Sequence, residues 1–413
     1  MGQTNIGKDS IFTLLGSFLD ALSPDFSAHQ KRVAFYLYRI GKELNLESRL
    51  RSALVFSGLF HDVGANKLTD LEQLFPFDPE GTYPHSLRTY LLLKYYSPLG
   101  DFSKALLYHH ARASYQCEEP YYKDGLLIHL ADRFDVALMA SKSQDIALKM
   151  VNSHQGDIFL PEHVAALNKA VNNTDLVAKI FDGTFAAELK NYLISLPLGD
   201  DFIVEIKQMI VSLSEYFTSL NPGEGELAGW IGARISELMD LNKKEQDYIQ
   251  NACLLKNIGH VRLNLIKAKS LSKEAVEVQS LEASAAIVRE AMPMEISNLI
   301  LNSLELMDGS GIPNGRTSGE LSTLQKVVIF SCYLAKSLSS QENLSDNNLI
   351  RVDGDVALET AKGLLPNQPY NIFNDNKASM ADAARLILLK ARDKRKKIDA
   401  EEEALKDANK WSK

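Results

Sequence analysis

The chain has 413 residues, enough for two or three domains with sizeable cores. With 45% hydrophobic and 24% charged residues it reads as a globular protein, and a net charge of −8 speaks against a broad surface for nucleic acid polymers. Cys117, Cys253 and Cys332 form neither a CxxC pair nor a zinc spacing, so they suggest no disulfide framework and fit a reducing cytoplasm.

Helical spacing dominates from the start. "IFTLLGSFLDAL" is short, is interrupted by Asp20 and has no basic leader, which predicts an amphipathic helix and neither a signal peptide nor membrane insertion. "HQKRVAFYLYRIGKELNL" repeats apolar residues at Val33, Leu37, Ile40 and Leu44, the pattern of a helix with a buried face. "RSALVFSGLF", "SLRTYLLLKYY", "FSKALLYHH" and "DGLLIHLADRFDVALM" follow as short helical segments between Gly, Pro and Asp signals. Alternating strand patterns are scarce, so the expected fold class is all-α.

A shift of 195 residues lays the second half over the first. "NLESRLRSALVFSGLFHDVG" then falls on "DLNKKEQDYIQNACLLKNIG" with its apolar residues in phase, and Arg39-Ile40 falls on Arg234-Ile235. Duplication explains this better than chance likeness of helices. The expected domains are therefore residues 1–172 and 201–390, joined by a helical connector over 173–200. "SSQENLSDNNLIRVDGD" reads as a polar loop in the second, and residues 391–413 as a charged solvated helix or tail.

Eight of the nine histidines lie in the first half. His29 sits in the first long helix, His61-Asp62 at the end of the next, and His85 after a loop. His109-His110 close a further helix, and Asp132 lies in "IHLADRFDVAL". Asp25 precedes His29 by one helical turn. Imidazoles and carboxylates are ligands for Mn, Fe, Zn or Ni, and burying so many ionisable groups without a counter-charge costs several kcal/mol each. His129 reads as a core or surface residue, and His154 and His163 as residues of helix surfaces.

In this order the motifs resemble the HD superfamily of metal-dependent phosphohydrolases, most closely its HD-GYP branch. "HQKRVAFYLYRIGKELNL" is similar to the family's opening helix, "FHDVG" to its HD motif and "YPHSLRTYLLL" to the next histidine segment. "YHH" is similar to its paired histidines and "LADRFDVAL" to its closing aspartate. The resemblance covers most of residues 11–172 and implies tandem HD-type helical bundles. It implies that His29, His61, Asp62, His85, His109, His110 and Asp132 hold two divalent transition-metal ions, with Asp25 helping a third and Asp62 bridging. It further implies catalysis by a metal-bridging hydroxide that attacks phosphorus, with His61 and Asp62 at its centre. The implied ligand is a small phosphate-containing molecule, with cyclic di-GMP the leading substrate. Another nucleotide, or a non-catalytic signalling scaffold or ligand sensor, is the alternative, and a homodimer is the candidate assembly.

Two departures bear on the substrate. Where HD-GYP members carry Lys after HDxG, this chain has Ala65, with Lys67 two residues on as the candidate replacement. After "HH" the GYP-bearing loop gives way to "ARASYQCEEPYYKDG". The second copy inverts this: "LMDGSGIPNG" is similar to the GYP segment, while Leu220, Glu224, Lys256, Asn257, Ser280, Ser303, Leu304 and Cys332 stand over the ligand positions. These residues make no credible multimetal set, so the second copy is expected to be metal-free.

Overall fold

The computed structural model describes residues 7–22, 24–65, 76–78, 81–218, 220–263 and 271–406, and for residues 24–26 the backbone alone. Among the described residues regular structure is helical, and β-type pairing is confined to three isolated bridges. No helix among them is long and apolar enough to cross a membrane. The all-α expectation holds.

Two compact units share the chain: Ser23–Leu198 with Lys396–Lys413, and Met1–Leu22 with Gly199–Arg395. The first helix, α1 (Lys8–Leu22), thus groups with the second unit although it precedes the first in sequence. Its buried stripe of Ile11, Leu14, Leu15, Phe18 and Leu19 needs an apolar partner but does not say which one.

In the unit starting at Ser23, α2 (Pro24–Glu43) is central and touches α3 (Ser48–Phe60), α5 (Tyr122–Ser141), α7 (Pro161–Asn172) and α9 (Phe185–Ser195). Val33 to Leu37 are buried on every side of its axis, so α2 is a core helix and not an amphipathic cover. Between α3 and α5 come α4 (Tyr83–Tyr96), with proline in its first turn, and a 3-10 segment over Gly100–Tyr108. α6 (Gln144–Ser153) and α8 (Leu176–Asp182) complete the described helices up to α9.

The expected connector is part of this core. Phe185 of α9 packs on Phe35 with ring centroids 5.8 Å apart, Tyr192 on Tyr38 at 4.3 Å, and Glu188 pairs with Arg39 at 3.0 Å. The charged C-terminal stretch also finds partners here: Glu402 pairs with Arg88 and Glu401 with Lys94, each at 2.8 Å. Tyr83 Oη donates to the Leu405 carbonyl at 3.1 Å. All three contacts land on α4.

The second unit runs through α10 (Asp200–Thr218), α11 (Glu224–Leu238), α12 (Lys243–Leu255), α13 (Lys273–Ala291), α14 (Met294–Leu301), α15 (Thr323–Ser339) and α16 (Asp346–Ala361), then into the long α17 (Asn367–Leu405). α1 packs on α13 and α10. Part of the expected polar loop is α16: Ser345 caps it by accepting the Asn348 N–H, so the helix starts where acidic and amide residues had suggested irregular chain. The segment similar to GYP is a tight loop whose buried Glu305 accepts the Asn314 and Arg316 N–H groups at 2.8 and 2.9 Å.

One contact recurs 195 residues apart. The Gly64 N–H donates to Thr89 Oγ1 at 2.9 Å, and the Gly259 N–H to Ser284 Oγ at 2.8 Å. A Cβ at Gly64 would lie 2.5 Å from the His85 carbonyl oxygen, and one at Gly259 2.4 Å from the Ser280 carbonyl oxygen. Each glycine lets the turn after one helix press against the start of another.

Candidate metal centre

Close backbone approach assembles the site. A Cβ at Gly58 would sit 2.9 Å from Ala34 Cα, so α3 lies directly on α2 and brings His61 beside His29, ring centroids 5.1 Å apart. Gly64 then seats the turn after α3 on α4, which carries His85 toward Asp62. The 3-10 segment delivers His109 and His110, and α5 delivers Asp132.

Seven side chains converge in two groups. Asp62, His85, His109 and His110 form one, and His29, His61 and Asp132 the other; in each group one ligand atom per residue lies within 4.8 Å of the rest. Asp62 Oδ1 is 3.5 Å from both His85 Nε2 and His109 Nε2, while its Oδ2 is 3.1 Å from His61 Nε2. His85 Nε2 also meets His110 Nε2 at 3.1 Å and His109 Nε2 at 3.3 Å. Asp132 Oδ1 lies 3.3 Å from His29 Nε2 and 4.0 Å from His61 Nε2. Among the described residues no such group occurs in the second unit. Asp25 lies on α2, but its side chain is outside the described residues, as is all of Lys67.

Ring orientation is set from behind. His61 Nδ1 donates to the Gly58 carbonyl at 2.9 Å and His109 Nδ1 to the Leu106 carbonyl at 2.5 Å, which leaves both Nε2 lone pairs facing the cluster. His29 Nδ1 donates to Asp135 Oδ2 at 2.8 Å. Asp135 is itself held by Arg32 through Nε and Nη2, each at 2.8 Å, and by Tyr36 Oη at 2.9 Å. Asp135, Arg32 and Tyr36 escaped the sequence reading. The signal was there: Asp132 and Asp135 share a face of α5 at i,i+3, as do His29, Arg32 and Tyr36 on α2.

The donor set suits a cation. His61 Nε2 and both Asp62 oxygens are buried and accept no hydrogen bond, although His61 and Asp62 face each other at 3.1 Å. That close approach is not a hydrogen bond if the ring proton is on Nδ1, and a carboxylate so placed is costly without a cation. Burial works against a charged His29, yet its bonds to Asp132 and Asp135 hold its pKa up to about 10. Burial would raise Asp62, but His61 first, and then the His109 and His85 rings that face it, hold it well below the usual carboxylate range. For Asp132 burial is likewise overcome, by Arg133 first and then His29.

Other histidines correct the sequence reading in part. His163 is buried rather than on a helix surface, and burial pushes its pKa down to about 4. His129 is a core residue whose Nδ1 donates to the Ala111 carbonyl at 2.9 Å and whose ring meets His110 edge-on at 5.3 Å. Arg112, beside the paired histidines, is engaged by Asp78 and Asp157, each at 2.7 Å.

Known proteins are similar to this chain. The HD domain model matches residues 26–137, the stretch that carries all seven convergent side chains. A 3′3′-cGAMP-specific phosphodiesterase 1 of Vibrio cholerae is 19% identical over 402 residues, covering 91% of this chain and 93% of that protein. The crystal structure of a V. cholerae cyclic GMP-AMP specific phosphodiesterase aligns with TM-score 0.51 and 15% identity over 92% of this chain and 98% of that one, a likeness of fold. The matched stretch begins on the helix of His29 and ends just past Asp132, so residues 26–137, which hold the whole candidate centre, are similar to an HD domain.

Proposed function

We propose that the chain is a cyclic dinucleotide phosphodiesterase whose metal centre is built by Asp62, His85, His109 and His110 on one side and His29, His61 and Asp132 on the other. The observation that carries this is the pair of buried Asp62 oxygens without a hydrogen-bond donor, facing the Nε2 atoms of His61, His85 and His109 from three elements. Divalent ions held there supply an activated water as nucleophile and charge support for phosphate oxygens. The chain's residues do the rest. Asp135, Gly58 and Leu106 fix the imidazole tautomers, and Asp62, between the two groups, reaches both with one carboxylate. Similarity to a 3′3′-cGAMP-specific phosphodiesterase over nine-tenths of the chain supports a 3′-5′ cyclic dinucleotide as substrate. Cyclic di-GMP, expected from the sequence, stands beside 3′3′-cGAMP as the pair to separate, given Ala65 and the missing GYP loop.

The second unit is read as a degenerate copy of the first. The recurring glycine contact supports this, and so do the residues 195 positions after His29, His61 and Asp62. Lys256 Nζ lies 3.1 Å from Glu224 Oε1 and 2.9 Å from Asn257 Oδ1, and Asn257 Nδ2 donates to the same Glu224 oxygen at 3.0 Å. A buried ammonium group stands among the residues that replace the metal ligands.

The test is hydrolysis of both dinucleotides by purified protein loaded with Mn(II) or Fe(II), read as linear product. Asp62→Ala is expected to cost more than about a hundredfold in turnover, beyond what outer-sphere partners of a metal contribute. Near-normal turnover by a metal-loaded Asp62→Ala protein refutes the assignment.

A further inference from the structure

Arg133 follows Asp132 directly and is bound to it. Its Nε donates to Asp132 Oδ2 at 2.9 Å, and Nη2 lies 2.8 and 2.7 Å from Oδ1 and Oδ2. Nη1 donates to the Pro76 carbonyl at 2.6 Å. Neighbouring residues on a helix point about 100° apart, so the guanidinium has to fold back to reach its neighbour's carboxylate. Both residues are buried, where a charge-assisted, two-pronged bond is strongest.

The two groups of ligands differ on this point. Both Asp62 oxygens are without a hydrogen-bond donor, whereas both Asp132 oxygens are taken by Arg133. Oδ1 of Asp132 is also the atom that faces His29 and His61, so a cation in that group and the guanidinium compete for it. A buried guanidinium that gives up a carboxylate is stabilised by another anion in its place, because a buried charge is costly to leave with fewer partners. Its planar fork fits two phosphate oxygens as well as two carboxylate oxygens.

We propose that Arg133 couples phosphate binding to cation binding at the His29–His61–Asp132 group. Without phosphate it holds Asp132 and weakens that position. With phosphate present its N–H donors pass to the phosphate oxygens and the carboxylate is released to the cation. This rests on the metal-centre reading above and deepens it: the two cation positions are unequal, and the substrate's own phosphate completes the weaker one. By linkage the effect is reciprocal, so a cation at Asp132 tightens phosphate to the same degree.

Calorimetric titration of the metal-stripped full chain with Mn(II), with and without inorganic phosphate, tests this. The wild type is expected to show a tight and a weaker event, with phosphate tightening the weaker one about tenfold, in the usual range of coupling. In Arg133→Met the weaker event tightens by a similar factor with no phosphate, and added phosphate then changes it about twofold or less. A second event no tighter than wild type, or a full phosphate effect retained, overturns the role of Arg133. Circular dichroism checks the fold; if Arg133→Met is unfolded, Arg133→Gln, which keeps N–H donors but no charge, is read by the same two criteria. Failure of the wild type to take up any Mn(II) is a different outcome, and overturns the metal centre itself.

Discussion

Asp135 acts on the candidate centre without being one of its convergent ligands. It receives bonds from His29, Arg32 and Tyr36, and so decides which His29 nitrogen faces Asp132 and Asp62. Carboxylates behind a ligating histidine fix its tautomer and raise its basicity, and their loss costs about 10–100-fold in metal affinity. Asp135→Asn is therefore expected to lower Mn(II) affinity by that factor, with the far-ultraviolet dichroism unchanged. An Asn variant that binds Mn(II) as tightly as wild type removes Asp135 from the assembly. The seven convergent side chains were legible because His and Asp are rare in helix cores and came in a recognisable order. Asp135 and Arg133 were less so, since one carboxylate or guanidinium on a helix ordinarily faces water.

At the scale of elements, glycines decide how closely helices approach. Gly64 has no room for a side chain: a Cβ would stand 2.5 Å from both the His85 carbonyl oxygen and the Thr89 nitrogen, which are backbone atoms and cannot swing aside. Gly64→Ala is expected to cost about 1–3 kcal/mol, as overpacking does, and to push the Asp62 turn away from His85. Gly259→Ala meets a similar clash, 2.3 Å from the Ser284 nitrogen, in a unit that has no such ligand group among its described residues. The pair is a matched control. Both variants should lower the urea midpoint, while only Gly64→Ala should also weaken Mn(II) binding. Equal metal affinity in the two would mean that the turn does not position Asp62. Each glycine was visible in the sequence, but which atoms crowd it depends on a helix some 25 residues away.

Over the whole molecule, the two units answer one problem in two ways. In the first, buried carboxylates and imidazoles form groups able to hold cations; in the second, Lys256 provides a cation covalently, with burial opposing its charge and Glu224 holding its pKa above the ordinary lysine value. Lys256→Met leaves Glu224 buried without its partner and is expected to destabilise the second unit by about 3–5 kcal/mol. The double change Lys256→Met, Glu224→Leu should recover most of that, since a buried pair and an apolar isostere are often close in energy. Chelators should lower the unfolding transition that carries the first unit and leave the transition sensitive to Lys256→Met in place. If chelation moves both equally, or the single change is harmless, the internal-cation account of the second unit fails.

The sequence alone determined the helical class and the order of histidines and aspartates from His29 to Asp132, because periodicity and residue order are properties of the chain itself. Tertiary structure decided the partners. An apolar stripe such as that of α1 demands burial but is indifferent to which apolar surface supplies it, so α1 joins the unit that follows residue 198 and not the one beside it in sequence. Likewise Glu401 and Glu402 read as a solvated charge run until Lys94 and Arg88, some 300 residues earlier, lie across from them. Charge and hydrophobicity act through space without direction along the chain. What each group does was therefore settled by the folded neighbourhood that meets it.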